Sequence, residues 1–354
     1  MIDNSLLEQL RLKIPGVAQN EPLSRHSTIR AGGLAAAFLV TKTIDELVSA
    51  VTVVRELGIL FRIIGGGSNT LFSDKGFDGL VIKNLANGID IAGAREELDP
   101  IPWQPVAEIR HEAANPSKYV SFLDLNYDER PGDTLVTVES GINLTALIIR
   151  SLDAGLLGLE WFGGIPGTLG GAIYNNIHGG THFIGERVNS VEALTGDGSR
   201  QSYAHEELAF SYDKSRFHDT AEVILRVELS LTKGTKLEID RADDTFRQWV
   251  RRKGEMQPKL GSLGSTFQNI SQADRQKIGA PTTSAGWIIE QVGLKGHRIG
   301  DAQIAPEHAN FIINHGGATS SDIYALIRLA QKEVKKKFGL DLQLEVFLVG
   351  EFDY

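Results

Sequence analysis

Ser265 lies in Gly261-Ser262-Leu263-Gly264-Ser265-Thr266-Phe267-Gln268-Asn269, a hydroxyl flanked by small residues. Such a serine can approach a ligand closely and exchange a proton with it. The spacing is not Gly-x-Ser-x-Gly, so hydrolase chemistry is not indicated; without more, the stretch reads first as a plain Ser/Gly loop. Glu345 is a second candidate, an acid among the leucines of a terminal apolar segment, which must face water, an ion pair or a site. His308, in Pro306-Glu307-His308-Ala309-Asn310, is a third, or else a loop histidine at a strand start. No other histidine stands at ligand spacing and the chain has no cysteine, so no metal is expected.

Two glycine-dense stretches point to an anion. Gly65-Gly66-Gly67-Ser68-Asn69 follows an apolar run, and Gly163-Gly164-Ile165-Pro166-Gly167-Thr168-Leu169-Gly170-Gly171 forms the other. Glycines let backbone N–H groups come close to a phosphate because no Cβ intrudes. A lone triplet reads as a tight turn; a pair of such stretches suggests both sides of one extended ligand such as a dinucleotide. The spacing is not Gly-x-Gly-x-x-Gly and no Walker lysine follows, which disfavours a Rossmann site or P-loop. The basic run Arg251-Arg252-Lys253, with Lys259 nearby, is either a solvated helix face or a source of cations for a diphosphate.

The elements that must hold these residues are partly legible. Thr43 and Glu46 have capping-box spacing, Leu47, Ala50, Val51, Val54 and Leu57 recur at helical spacing, and Gly58 stands where a helix ends. Ile59–Ile64 then reads as a buried strand running into the first glycines. Leu135-Val136-Thr137-Val138 reads as a strand, Gly141 as a turn, and Leu144, Leu147, Ile148 and Leu152 as a helix face. Residues 90–119, with Pro100 and Pro102 and poor periodicity, suggest a surface excursion, with strands resuming near Val120. Further strands follow Tyr203 to about Leu231, and Lys233-Gly234 marks a boundary. Ile323, Leu326, Ile327, Ala330, Val334 and Phe338 define a helix, and Leu340, Leu342, Leu344, Val346 and Leu348 alternate as in a strand, with Glu345 on the other face.

The chain of 354 residues, 42% hydrophobic and 23% charged, is long enough for two or three domains around packed cores. A net charge of −9 argues against a general nucleic-acid binder. No stretch approaches the ~20 apolar residues of a membrane helix, and Met1–Pro15 lacks the apolar core of a signal peptide. A cytoplasmic protein is expected.

Taken in order, these segments resemble the UDP-N-acetylenolpyruvoylglucosamine reductase family. The resemblance is carried by His26-Ser27-Thr28 with Gly32-Gly33, Ile64–Asn69, Gly164–Gly171, Tyr212-x-x-Ser215, Gly264-Ser265-x-Phe267-x-Asn269, Ala285–Ile289 with Gly293-Leu294-Lys295-Gly296, His308–Phe311 and Leu344-Glu345. It implies an α+β protein: a two-part FAD-binding module of the vanillyl-alcohol-oxidase type (residues 1–84 and 85–233, with 90–119 as an insertion) and a C-terminal α/β substrate-binding domain (234–354). The Tyr-bearing substrate loop of one branch is absent. The resemblance further implies a monomer using FAD and NADPH on a small molecule, the enolpyruvyl ether of UDP-N-acetylglucosamine, with no nucleic-acid or membrane partner.

By the same resemblance, Gly65, Gly66, Gly67, Ser68, Asn69, Gly164, Ile165, Pro166, Gly167, Thr168, Gly170 and Gly171 bind the cofactor, Ser265 donates a proton to C2, Glu345 assists as an acid, and Tyr212, Asn269 and His308 contact substrate. The chain departs from the family pattern in one catalytic position: Asp213 stands where an arginine follows the tyrosine and stabilises the developing anion. Such an electrostatic contact is worth ~3–4 kcal/mol. Lys214 or Arg216 is the expected substitute; the alternative is a weakly active flavin- or nucleotide-sugar-binding paralogue. Met256 stands near where relatives carry a lysine for the diphosphate, with Lys253 or Lys259 as compensation. A different flavin oxidase on the same module is a third reading, opposed by the Ser265 and His308 segments.

Overall fold

A computed structural model describes residues 2, 4–91, 94–97, 132–180 and 182–353. The strand expected to resume near Val120 and most of the 90–119 insertion lie outside the described residues.

The N-terminal part is a four-stranded sheet in the order Ala18–Pro22, Leu34–Thr41, Phe77–Asn84, Phe61–Ile64, antiparallel at the first pairing and parallel at the others. Parallel neighbours require a crossover, and the helix Ile44–Glu56 supplies it. Thr43 caps this helix by accepting from the Glu46 N–H at 3.1 Å. The Glu46 carboxylate reaches back one residue further than a capping box requires, to the Lys42 N–H at 2.6 Å. Gly58 ends it at φ +63°, a left-handed conformation that costs a glycine nothing. Leu47, Ala50, Val51 and Val54 pack on Ala37, Leu39, Leu80 and Ile82.

A larger antiparallel sheet follows, in the order Arg200–Ala204, Val188–Leu194, Val223–Lys233, Thr134–Glu139, Gly88–Ile91, Ala94–Glu97, with Leu156–Leu157 also on the long strand. The helix Leu144–Asp153, capped by Asn143, covers its apolar face. Leu194, Val223 and Leu225 of this sheet join the core of the first part, so the two share apolar packing.

Beyond Lys233, the helix Lys236–Met256 begins at a complete capping box, Thr235 with Glu238. It leads to an antiparallel sheet ordered Gly261–Ser265, Phe311–Asn314, Ala302–Ile304, Arg298–Ile299. The helix Ser320–Phe338 lays Ile323, Leu326, Ile327, Ala330 and Val334 on this sheet, and Ile29, Ala31 and Leu71 of the N-terminal part enter the same core.

The long terminal strand expected from alternation is a correction. Leu340, Leu342 and Val346 are buried as the alternation requires, yet the regular strand is only Phe347–Val349. The reason is divided pairing. Around Leu344 the backbone bonds to the Ser265 segment, whereas Phe347–Val349 pairs in parallel with Thr70–Phe72. The segment changes partner midway, so no single ladder holds it.

No described helix is long and apolar enough to cross a membrane, and the described residues contain no group of three or more His, Asp or Glu arranged to hold a metal.

Candidate active site

The two glycine stretches lie against one another. Ser68 Oγ donates to the Pro166 carbonyl at 2.9 Å. A Cβ on Gly65 would overlap Thr168 Oγ1, and one on Gly66 would stand 3.3 Å from Gly167 Cα. Gly67 is required twice over: φ is +64°, and a Cβ there would run into the His26 carbonyl. The Gly67 carbonyl is held by the Thr28 N–H at 3.1 Å, which explains why His26-Ser27-Thr28 accompanies the glycines. Thr168 caps the short helix Leu169–Tyr174.

Opposite these loops stands the Ser265 segment. It is the end of a strand rather than a loop, and its pairing with Phe311–Asn314 slips between Ser262 and Ser265, where Gly264 has φ +78°. Such a bulge re-aims side chains, as is common beside active sites. Asn310 fixes the segment beyond it: its carbonyl accepts from Thr266 N–H at 2.7 Å, its Oδ1 from Phe267 N–H at 3.0 Å, and its Nδ2 donates to the Phe267 carbonyl at 2.8 Å. The Thr266 carbonyl in turn accepts from Glu345 N–H at 3.0 Å. Glu345 is thus bonded to the residue after Ser265.

Both glycine loops, Ser265, Glu345, Tyr212 and Asp213 line one groove of about 1650 Å³. An ordinary small-molecule cleft holds ~300–1,000 Å³, so this groove has room for a dinucleotide and a second ligand. The glycine positions that admit no side chain are the cradle a dinucleotide needs, and FAD fits the residues present.

Electrostatics separate the groove's groups. Burial, with the charge of Asp213 added, pushes the Glu345 carboxyl up to about 8, so it is protonated at neutral pH. Burial, Asp213 and Glu345 push Tyr212 up to about 12. Burial lowers Lys253 to about 7. Lys253 lines the groove and packs over Gly164, where a Cβ would stand 3.2 Å from its Cδ. Lys253 Nζ and Arg252 both stand 5.7 Å from the Trp249 ring, but Arg252 does not line the groove, and Arg251 pairs with Glu255 at 2.8 Å. Lys259 also lines the groove.

Asn269 is exposed and outside the groove lining, but its Nδ2 donates to Tyr212 Oη at 3.3 Å, so it reaches the site through that ring. His308 is not brought to the groove. It stacks edge-on with Phe311 and lies against Gly286, and its Nδ1 accepts from Asn310 N–H at 3.2 Å. The expectation of a substrate contact at His308 is not met by this geometry; the ring supports the asparagine that holds the Ser265 segment.

Two groove-forming residues were missed in the sequence. Asn310 stood in a quoted motif without a role; a polar residue directly before the apolar run Phe311-Ile312-Ile313 was the available signal. His178 lines the groove with its Nδ1 3.8 Å from Asp213 Oδ1, and nothing local in the sequence connects the two.

Comparison with known proteins gives the family. The family model described as UDP-N-acetylenolpyruvoylglucosamine reductase, C-terminal domain, matches residues 257–349, and an FAD binding domain model matches residues 120–203. The UDP-N-acetylenolpyruvoylglucosamine reductase of Anoxybacillus flavithermus is 34% identical over 97% of this chain and 97% of its own length. That of Halalkalibacterium halodurans is 32% identical over 98% and 99%. The crystal structure of the Thermus caldophilus enzyme superposes with a TM-score of 0.66 at 29% identity, covering 93% of this chain and 98% of the other. Full-length kinship of this order joins the glycine cradle and the C-terminal part in one molecule: the chain belongs to the UDP-N-acetylenolpyruvoylglucosamine reductase family and is an FAD-dependent oxidoreductase.

Proposed function

We propose that the chain reduces the enolpyruvyl ether of UDP-N-acetylglucosamine to UDP-N-acetylmuramate, with NADPH as reductant, in peptidoglycan precursor synthesis. The observation that carries this reading is convergence: Ser265 and Glu345 line the same groove as both glycine loops. In this reading Gly65–Asn69 and Gly164–Thr168, with Gly170 and Gly171, hold FAD, and residues 1–84, 85–233 and 234–354 form the three parts. FAD, when bound, supplies two-electron hydride transfer between NADPH and C3 of the enolpyruvyl group.

The chain's own residues handle protons and charge. The Ser265 hydroxyl gives its proton to C2. A serine hydroxyl is a weak acid, but a carbanion conjugated with a carboxylate is a strong base, and positioning makes the transfer feasible. Glu345, neutral through burial, adds no anionic charge there and can donate a hydrogen bond from its carboxyl. Lys253, beside the second glycine loop and without an acidic partner among the described residues, takes the diphosphate. Tyr212 and Asn269 hold the sugar side.

The test is stopped-flow: bound flavin is reduced by NADPH, then mixed with the enolpyruvyl nucleotide-sugar. Ser265→Ala is expected to leave the first step intact and slow the second by about 10²–10⁴-fold, the usual worth of a positioned acid. An equal fall in both steps removes Ser265 from the proton-donor role. Reduction by NADPH with no reoxidation by the nucleotide-sugar in the unaltered protein would instead support the weakly active paralogue, the reading favoured by Asp213.

A further inference from the structure

Asp213 is the groove residue that this reaction leaves unexplained. It is only 8% exposed, has a left-handed φ of 52°, and its Oδ2 is buried with no hydrogen-bond partner among the described residues. A buried carboxylate beside a second acid is unfavourable unless a cation faces it. The cations adjacent in sequence are committed elsewhere. Lys214 Nζ pairs with Asp219 at 2.9 Å. Arg216 pairs with Glu222 at 3.0 Å, lies 3.6 Å over the Tyr203 ring and donates to the Glu207 carbonyl at 3.0 Å. Arg216 is therefore held away from the groove, whereas Lys214 lines it but is drawn toward exposed Asp219.

His178 faces Asp213 instead. It stands in the short strand His178–Gly179, just beyond the helix Leu169–Tyr174 that leaves the second glycine loop. Its Nδ1 is 3.8 Å from Asp213 Oδ1, and its side chain is 37% exposed and lines the groove. The ring is tilted against Tyr212 at 5.6 Å and Phe183 at 5.7 Å. The imidazole therefore stands on the groove wall next to Asp213, beside the tyrosine assigned above to the substrate.

We infer that His178, set beside Asp213 on the groove wall, is the hydrogen-bond donor to the carboxylate of the enolpyruvyl group. This rests on the proposed reaction and gives the substrate carboxylate a donor at a place where Asp213 supplies none. Asp213 acts through the ring: its Oδ1 lies 3.8 Å from Nδ1, beyond hydrogen-bond length, and favours the orientation that keeps Nδ1 turned toward it. The more exposed histidine can give a hydrogen bond to an incoming anion, with the buried acid at its side.

The test is binding to the oxidised, flavin-loaded protein without NADPH, by calorimetric titration with UDP-N-acetylglucosamine, which lacks the carboxylate, and UDP-N-acetylmuramate, which carries one. The expected result for His178→Gln is a loss of about ten- to a hundredfold for UDP-N-acetylmuramate, the worth of one charge-assisted hydrogen bond, with UDP-N-acetylglucosamine unchanged. His178→Arg should restore most of the difference, and Asp213→Asn should lose part of it. His178→Gln keeps a polar side chain of similar length, and its flavin content and melting temperature report that it has folded. Equal affinity of His178→Gln and the unaltered protein for UDP-N-acetylmuramate overturns the inference, as does an equal loss for both ligands. If the unaltered protein binds neither nucleotide-sugar, the proposed reaction fails and takes this inference with it; if it binds both and turns over while His178→Gln is indistinguishable, only His178 is wrong.

Discussion

The Asn69 side-chain amide donates to the Glu345 carbonyl at 3.0 Å, while the Asn69 carbonyl accepts from Phe347 N–H at 2.9 Å. One residue of the first glycine loop thus holds the terminal segment that carries the groove's acid. Cofactor cradle and acid are positioned as one rigid piece.

Asn69→Ala removes the side-chain half of this tie. The expected cost in stability is about 1 kcal/mol, and the expected kinetic effect is larger, because small displacements of a reacting group are costly. Stopped-flow should show the reaction with the nucleotide-sugar slowed ten- to a hundredfold, more than reduction by NADPH.

Glu345 sets a pH dependence. Its carboxyl is raised to about 8, first by burial and then by Asp213. The folded state therefore holds a proton that the unfolded chain releases in the ordinary carboxylate range. The stability this contributes is complete below that range and is lost as pH rises through about 8. Glu345→Gln should gain in melting temperature relative to the unaltered protein between pH 6 and pH 9. The rate of the nucleotide-sugar step should fall above about pH 8, and Asp213→Asn should move that fall to lower pH by removing the neighbouring charge.

Lys253 should link binding to protons. Burial lowers it to about 7, so much of it is neutral at pH 8. A diphosphate beside it favours the charged form. UDP binding at pH 8 is expected to take up protons, read as a dependence of the calorimetric heat on buffer ionisation enthalpy. Lys253→Met should abolish the uptake and weaken UDP by about tenfold or more.

Gly67→Ala tests the cradle. A left-handed alanine costs roughly 1–2 kcal/mol, and here the added Cβ also meets the His26 carbonyl. The purified variant should be colourless or readily lose its flavin. Gly58→Ala is the control: φ is also left-handed at +63°, but no atom lies within 4 Å of the added Cβ, so the flavin should stay bound despite a lower melting temperature.

His308→Ala separates contact from support. Because the ring braces Asn310 and does not line the groove, kcat should fall several-fold with KM for the nucleotide-sugar nearly unchanged. Asn310→Ala should be more severe, by about 2 kcal/mol or more in stability, since both peptide groups of the buried Phe267 lose a partner.

What the sequence determined by itself was local. Thr43 and Gly58 bound a helix because capping and left-handed φ act within one turn. The helix Ser320–Phe338 was legible because apolar spacing reports a face without reference to its partner; a strand before Gly65 was legible too, but it is the edge strand Phe61–Ile64, buried only at Ile64, rather than a buried strand from Ile59. The type and order of the glycine stretches, Ser265 and Glu345 were enough to indicate a flavoenzyme family. The tertiary structure decided whatever depends on two distant segments meeting. The alternation over Leu340–Leu348 could not reveal that its backbone bonds are shared between Thr266 and Asn69. Nor could it show that Lys253, rather than Arg251 or Arg252, turns into the groove, since helix rotation there is set by packing on the glycine loop. His308 was placed outside the groove, and His178 against Asp213, by strand pairings and turns far apart in the chain. Burial decided the protonation of Glu345, and burial belongs to the assembled fold rather than to any neighbour in sequence.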